Sequence, residues 1–139
     1  MEFSTFDELE RLLYQLSKVP GYKPRKDERF CKHASPLITP AIFKPGTTRA
    51  NANVECWAEW AAIDVDEYPI GGFEDAIKIF QNHRSVIYSS ASSRRDHPKF
   101  RAVLALTESI PAEKIRHFWY ALNREFNSLA DPQTKDLSR

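Results

Sequence analysis

Phe6, Leu9, Leu12, Leu13 and Leu16 recur at the three- and four-residue spacing of a helix face, so the pattern predicts an amphipathic helix from about Thr5 to Ser17. Ser4 or Thr5 can cap it, with Asp7 or Glu8 three residues on in a capping-box arrangement. Pro20-Gly21 ends the helix, and a basic, proline-punctuated loop runs from Tyr22 to Arg29. Residues 36–53 carry three prolines and a glycine, which excludes long regular structure there. A strand is then expected from Trp57 to Asp66, closed by Pro69 and Gly71-Gly72. A short helix follows, with Phe73, Ala76, Ile77 and Phe80 on one face. Ser85 to Ala91 and Phe100 to Leu106 read as strands joined by a short, strongly basic loop. Pro111 opens the last helix, whose stripe is Ile115, Phe118, Trp119, Leu122 and Phe126. The tail from Leu129 is polar.

The order is an N-terminal helix, an irregular segment, then β-α-β-β-α. Such an order predicts an α+β two-layer sandwich of the split-βαβ, RRM-like kind, with helices on one face of the sheet. We expect one domain over 1–139, with the N-terminal helix and basic loop in 1–35 and the core in 36–139. Ending at Arg139, directly after a polar motif, suggests that a closing strand is missing and that the chain is a fragment.

Composition narrows the field. Of 139 residues, 42% are hydrophobic and 12% aromatic, enough for a core. The formal net charge of +1 gives no overall pull toward nucleic acid, so any such surface must come from local clusters of Lys and Arg. Two cysteines, Cys31 and Cys56, make no disulfide scaffold and read as free thiols of a reducing cytoplasm. No apolar run is long enough to span a bilayer, and the N-terminus lacks the features of a signal peptide. A soluble, cytoplasmic protein with no membrane partner is expected.

The first chemistry-bearing pattern is Ile63-Asp64-Val65-Asp66. Side chains alternate across a strand, so Asp64 and Asp66 share one face while Ala61, Ile63 and Val65 share the other. Two carboxylates held this close on the sheet's open face repel unless a cation lies between them. Oxygen-rich sites of this kind suit Mg²⁺ or Mn²⁺, which keep several waters and bind substrate phosphates. The bland account is a strand end where both acids face water, with Glu67 as a solvated neighbour. Glycosyltransferases, toprim nucleases and several phosphotransferases also use D-x-D.

A second pattern is the cluster of Arg94, Arg95, His97, Lys99 and Arg101. Arg grips phosphate in bidentate fashion. Arg101 lies inside an apolar strand, where an unpaired charge is costly, so it needs an anionic partner. That partner is either an aspartate of the neighbouring strand, in a salt bridge with no ligand, or a bound triphosphate. Ser89, Ser90, Ser92 and Ser93 can donate hydrogen bonds to phosphate. Trp57 and Trp60 offer stacking surfaces for bases, though core packing is the simpler expectation; Lys44 and Arg49 read as solvated or as phosphate contacts. Cys31, His33 and Cys56 match no common zinc spacing.

Taken together, the motifs resemble the archaeo-eukaryotic primase superfamily, and within it the primase-polymerases of phages, plasmids and other mobile elements. The resemblance rests on AIDVD, on YSSASS, on KFRAVLAL and on LADPQTKDLSR, with ITPAIF and TTRANANVE upstream, and it covers most of residues 36–139. It implies a catalytic module that makes or extends primers on single-stranded or primed DNA from nucleoside triphosphates, by two-metal phosphoryl transfer with Mg²⁺ or Mn²⁺. It is compatible with a helicase as partner or fused domain, on which the sequence itself is silent. Asp64, Asp66 and Asp131 match the three metal-binding, catalytic acids. Arg101 and Lys99 match the basic positions near the triphosphate, with His97, Ser92, Arg94 and Arg95 as further nucleotide contacts. The second motif departs from the family: Ser92-Ser93 stands where a histidine is usual, and His97, four residues later, is the candidate stand-in. The alternative from another class is a catalytically impaired DNA-binding replication protein on the same fold. A metal-dependent glycosyltransferase is disfavoured by the small size and the absence of a glycine-rich nucleotide-binding fold.

Overall fold

A computed structural model describes residues 5–18, 38–68, 73–90 and 92–138. The expected Tyr22 to Arg29 loop, Cys31 with His33, the Pro69 to Gly72 turn and Arg139 lie outside the described residues. The chain divides into two compact units, Met1–Leu37 and Ile38–Arg139.

In the first unit, helix α1 spans Phe6–Ser17. Thr5 is its N-cap, with extended backbone and a hydroxyl that accepts from the Glu8 N–H at 3.3 Å. Leu9 is fully buried, as the periodicity requires, while Leu16, expected in the same stripe, is exposed. The Lys18 ammonium lies 4.0 Å from the centroid of the Tyr14 ring.

The second unit is α+β. Its strands are β1 (Ala41–Phe43), β2 (Val54–Trp57), β3 (Trp60–Val65), β4 (Ser85–Ser89), β5 (Phe100–Ala105) and β6 (Ile110–Pro111). Helix α2 (Phe73–Ile79) lies between β3 and β4, and α3 (Ala112–Glu125) follows β6. Among the described residues they form two antiparallel three-stranded sheets, ordered β1-β2-β6 and β3-β5-β4. Both β3 and β4 pair antiparallel with the central β5, so they run parallel to each other with α2 as their crossover. This is the split β-α-β expected from the sequence.

Two element boundaries are corrected. The strand expected over Trp57 to Asp66 is two strands, broken at Ala58-Glu59. There the Ala58 N–H turns to the Pro40 carbonyl at 2.8 Å, while the Glu59 carbonyl accepts from Leu106 at 3.0 Å. The chain kinks at this point because its neighbour changes from β1 to β5. As expected, the described part of the segment 36–53 carries no long regular element: it holds β1 and a short 3₁₀ turn at Asn51–Asn53, both too short to leave a periodic signal. Pro111 is the N-cap of α3 and pairs with Cys56, so the helix begins one residue later than expected.

Alternation fills the helix-covered face of the β3-β5-β4 sheet. Ala61, Ile63 and Val65 face in from β3 and Phe100, Ala102 and Leu104 from β5, all buried. Phe80 stacks on Phe126 at 4.6 Å, and Phe100 meets Tyr68, Phe73 and Phe80 edge-on. The buried face of α2 is centred on Ala76, so Ile79 packs inward while Ile77, expected inside, is exposed. The α3 stripe is as expected, with Ile115 and Trp119 buried and Phe118 and Leu122 packed beside them. Trp57 and Trp60 are buried, as core packing requires, and are not stacking platforms.

Candidate active site

The opposite face of that sheet divides along its length. At one end Trp60 and Val103 are buried, so the face is only partly open. At the other end, where the parallel strands β3 and β4 finish, the residues turn polar. Register fixes the rows: Asp64 lies opposite Arg101, and Arg101 opposite Tyr88. One step further, Asp66 follows the end of β3, with Lys99 just before β5.

Arg101 sits between two partners. Its Nε donates to Asp64 Oδ1, and its Nη2 donates to Asp64 Oδ2 at 2.5 Å, a bidentate pair. Both side chains are 27% exposed. The carboxylate, chiefly through its hydrogen bonds, holds the guanidinium even more firmly charged than usual. On the other side Tyr88 is mostly buried, and that burial pushes its phenol up while Arg101 pulls it back. Of the two partners weighed for Arg101, the aspartate of the neighbouring strand is the one seated there.

Asp66 is more open, 52% exposed, with the Lys99 ammonium 3.8 Å away. His97 Nε2 lies 3.8 Å from the exposed Glu67 carboxylate. Three acids at the end of β3 thus face three basic residues at the start of β5. Glu67, read as a solvated neighbour, belongs to this ladder.

The backbone of Asp131 reaches the same strand edge by a different route. After α3, Asn127 and Ser128 adopt left-handed backbone, both at φ 57°, and turn the chain back. Asn123 holds the turn: its carbonyl accepts from Ser128 at 2.8 Å and its Oδ1 from Ala130 at 2.8 Å. The Asp131 N–H then donates to the Asp64 carbonyl at 2.8 Å. The tail therefore lies on the free edge of β3, beside the acid pair. The Asp131 carboxylate accepts from Gln133 and caps a short 3₁₀ helix at Pro132–Lys135. Among the described residues, no three His, Cys, Asp or Glu side chains are grouped closely enough to hold a metal as they stand.

The basic loop is a tight hairpin. Arg94 and His97 exchange backbone hydrogen bonds at 3.0 and 3.2 Å, which puts Arg95 and Asp96 at an exposed tip. Ser93 Oγ accepts from the Lys99 N–H at 3.0 Å, and Ser90 and Ser92 hydroxyls lie 3.3 Å apart. Ser92 and Ser93 thus contribute to the loop's own shape. Arg95 is at the tip and Arg94 beside it, outside the register row of Asp64.

Two features had no sequence signal. Tyr88 joins the row only through the register of β4 on β5, which residue spacing does not reveal. The tail clamp is the second. Arg49, read as solvated or as a phosphate contact, donates from Nε and Nη2 to the Ser138 carbonyl at 3.2 and 3.0 Å. Asn51 accepts from the Ser138 N–H at 3.0 Å, and Trp57 Nε1 donates to the Leu137 carbonyl at 2.7 Å. Cys56 is a free thiol whose pKa is raised, first by burial and then by Glu55.

No described helix is long and apolar enough to cross a membrane. No protein-family model, curated protein or solved structure matches this chain.

Proposed function

We propose that this chain is a nucleotidyltransferase of the primase-polymerase type, making or extending primers on a DNA template from nucleoside triphosphates. One observation carries the reading. Asp64 and Asp66 lie on one face at the end of the first strand of a split β-α-β, in register with basic residues of the central strand, and the tail brings Asp131 to the same edge.

The donor set suits Mg²⁺ or Mn²⁺, because all three candidates are carboxylates, the hard oxygen donors these ions prefer. Asp64 and Asp66, with the substrate's phosphates, would hold the metal, and Asp131, whose carboxylate caps the 3₁₀ helix that follows it, would have to turn to join them. When bound, two such ions would supply activation of the primer 3′-hydroxyl and neutralisation of the departing pyrophosphate, one for each role. Arg101 and Lys99 bind and orient the triphosphate, and the hairpin carrying His97, Ser92, Arg94 and Arg95 extends that positive surface. Template DNA lies across the same end of the sheet.

Primer synthesis on single-stranded DNA with Mn²⁺ and nucleoside triphosphates is the test. The full chain is expected to give product, and Asp64→Ala and Asp66→Ala each to lower the rate by more than about a hundredfold. Full activity in the double variant would rule the reading out. The pairing of Asp64 with Arg101, together with Ser92-Ser93 in place of a histidine, favours a second reading. Under it, the chain is a DNA-binding replication protein with an impaired site, which binds single strands and makes no product.

A further inference from the structure

We infer that Arg101 is a two-position residue: it neutralises Asp64 in the free protein and transfers to the triphosphate when a metal-bound nucleotide arrives. This rests on the reading above and concerns how the same site is held before substrate binds.

Three observations support it. First, both oxygens of Asp64 are engaged by Arg101, so the acid is not available to a cation while that pair is closed. Second, both acids of the strand end are compensated from β5 and the residue just before it: Asp64 by Arg101 and Asp66 by Lys99. An ion alone gains the acids only by stranding the bases, whereas a metal-bound triphosphate brings a partner for each side. Third, the pair lies partly exposed on a sheet face, beside Tyr88, and not sealed in the core. Ion pairs of this kind add little net stability compared with apolar packing, so stability alone does not account for a charged row in this sheet.

The consequence is strong coupling between metal and nucleotide. A ligand shifts such an equilibrium only by its preference for the open arrangement. Metal alone competes with a resident cation; metal with triphosphate does not. Exchange neither makes nor breaks a covalent bond.

Mn²⁺ binding to the full chain, followed by electron paramagnetic resonance of the free ion, reads this directly. The unaltered protein is expected to bind Mn²⁺ alone weakly, and at least about tenfold more tightly with a non-hydrolysable nucleoside triphosphate. Arg101→Gln is expected to bind Mn²⁺ alone about tenfold more tightly than the parent, a gain removed by adding Asp64→Asn. Arg95→Gln, which deletes the same charge at the loop tip, is expected to give a much smaller gain. Equal gains in Arg101→Gln and Arg95→Gln, or none in either, overturn the exchange while leaving primer synthesis to judge the enzyme reading separately. Absence of Mn²⁺ binding with and without nucleotide, in every variant, overturns both.

If Arg101→Gln does not fold, the unaltered protein still decides. The Arg101 Nε–H resonance is expected to persist with Mg²⁺ alone and to move once Mg²⁺ and the triphosphate analogue are added together. A resonance that stays in place while the nucleotide demonstrably binds overturns the inference.

Discussion

Asp64 and Asp66 stand two residues apart on one face, yet their surroundings differ. Asp64 is partly buried and bidentate with Arg101; Asp66 is half exposed, with Lys99 at 3.8 Å. Removing one partner of a buried pair strands the other charge, whereas loosening an exposed pair costs little. Asp64→Asn is therefore expected to lower unfolding stability in urea by about 2 kcal/mol, a figure reduced from the fully buried case for partial exposure. Asp66→Asn is expected to stay within about 0.5 kcal/mol. Both are expected to abolish primer synthesis, so stability separates two acids that activity does not. Equal losses of stability would contradict the pairing seen here. Tyr88 adds a pH signature. Burial raises its phenol above the ordinary 10.0, so the fold prefers the neutral form and the unfolded chain loses its proton first. The stability this group contributes is present below that value and is lost as pH rises through the folded pKa. Tyr88→Phe is expected to unfold at a higher alkaline pH than the parent, measured by circular dichroism; coincident transitions would show that Tyr88 is not held as described.

At the level of elements, the tail after α3 decides whether Asp131 belongs to the site. Two successive left-handed residues, Asn127 and Ser128, turn it, and only the first is of a type that tolerates that backbone well. Ser128→Gly is expected to stabilise by about 0.5–1 kcal/mol, because glycine adopts this conformation without steric cost. Ser128→Val is expected to destabilise, and the reverse order in thermal unfolding would contradict the turn. Farther along, Asn51, Arg49 and Trp57 hold Leu137 and Ser138 against the loop before β2. Asn51→Ala is expected to speed hydrogen exchange at the Ser138 amide, which loses its acceptor, while amides in β5 stay protected. These elements also mark where residue patterns run out. The long stripes of α1 and α3 and the alternation of β5 were legible because each repeats several times. The three residues of β1, the two of β6 and the kink at Ala58-Glu59 repeat nothing, and arise from contacts with distant partners. Ile77 was misplaced because a seven-residue helix fixes its buried face only to within a neighbouring position.

For the whole molecule, the split β-α-β explains why these acids and bases meet. Placing β5 between β3 and β4 sets Arg101 between Asp64 and Tyr88, while its neighbour Phe100 points into the helix layer. The acids were legible as a pair and Arg101 as a residue in need of an anion. Which anion it takes was not, because that depends on strand register. With a formal net charge of only +1, the chain has no overall pull toward DNA, and the proposed reading relies on the basic cluster at the end of the sheet where β5 begins. The most direct measurement is paramagnetic broadening of backbone amide signals by Mn²⁺ in the presence of a non-hydrolysable nucleoside triphosphate. Broadening centred on Asp64, Asp66 and Asp131, and extending to Ser90 and Lys99, is the expected result. Broadening centred elsewhere on the chain, with those amides left sharp, would contradict the assignment of this strand end as the catalytic site.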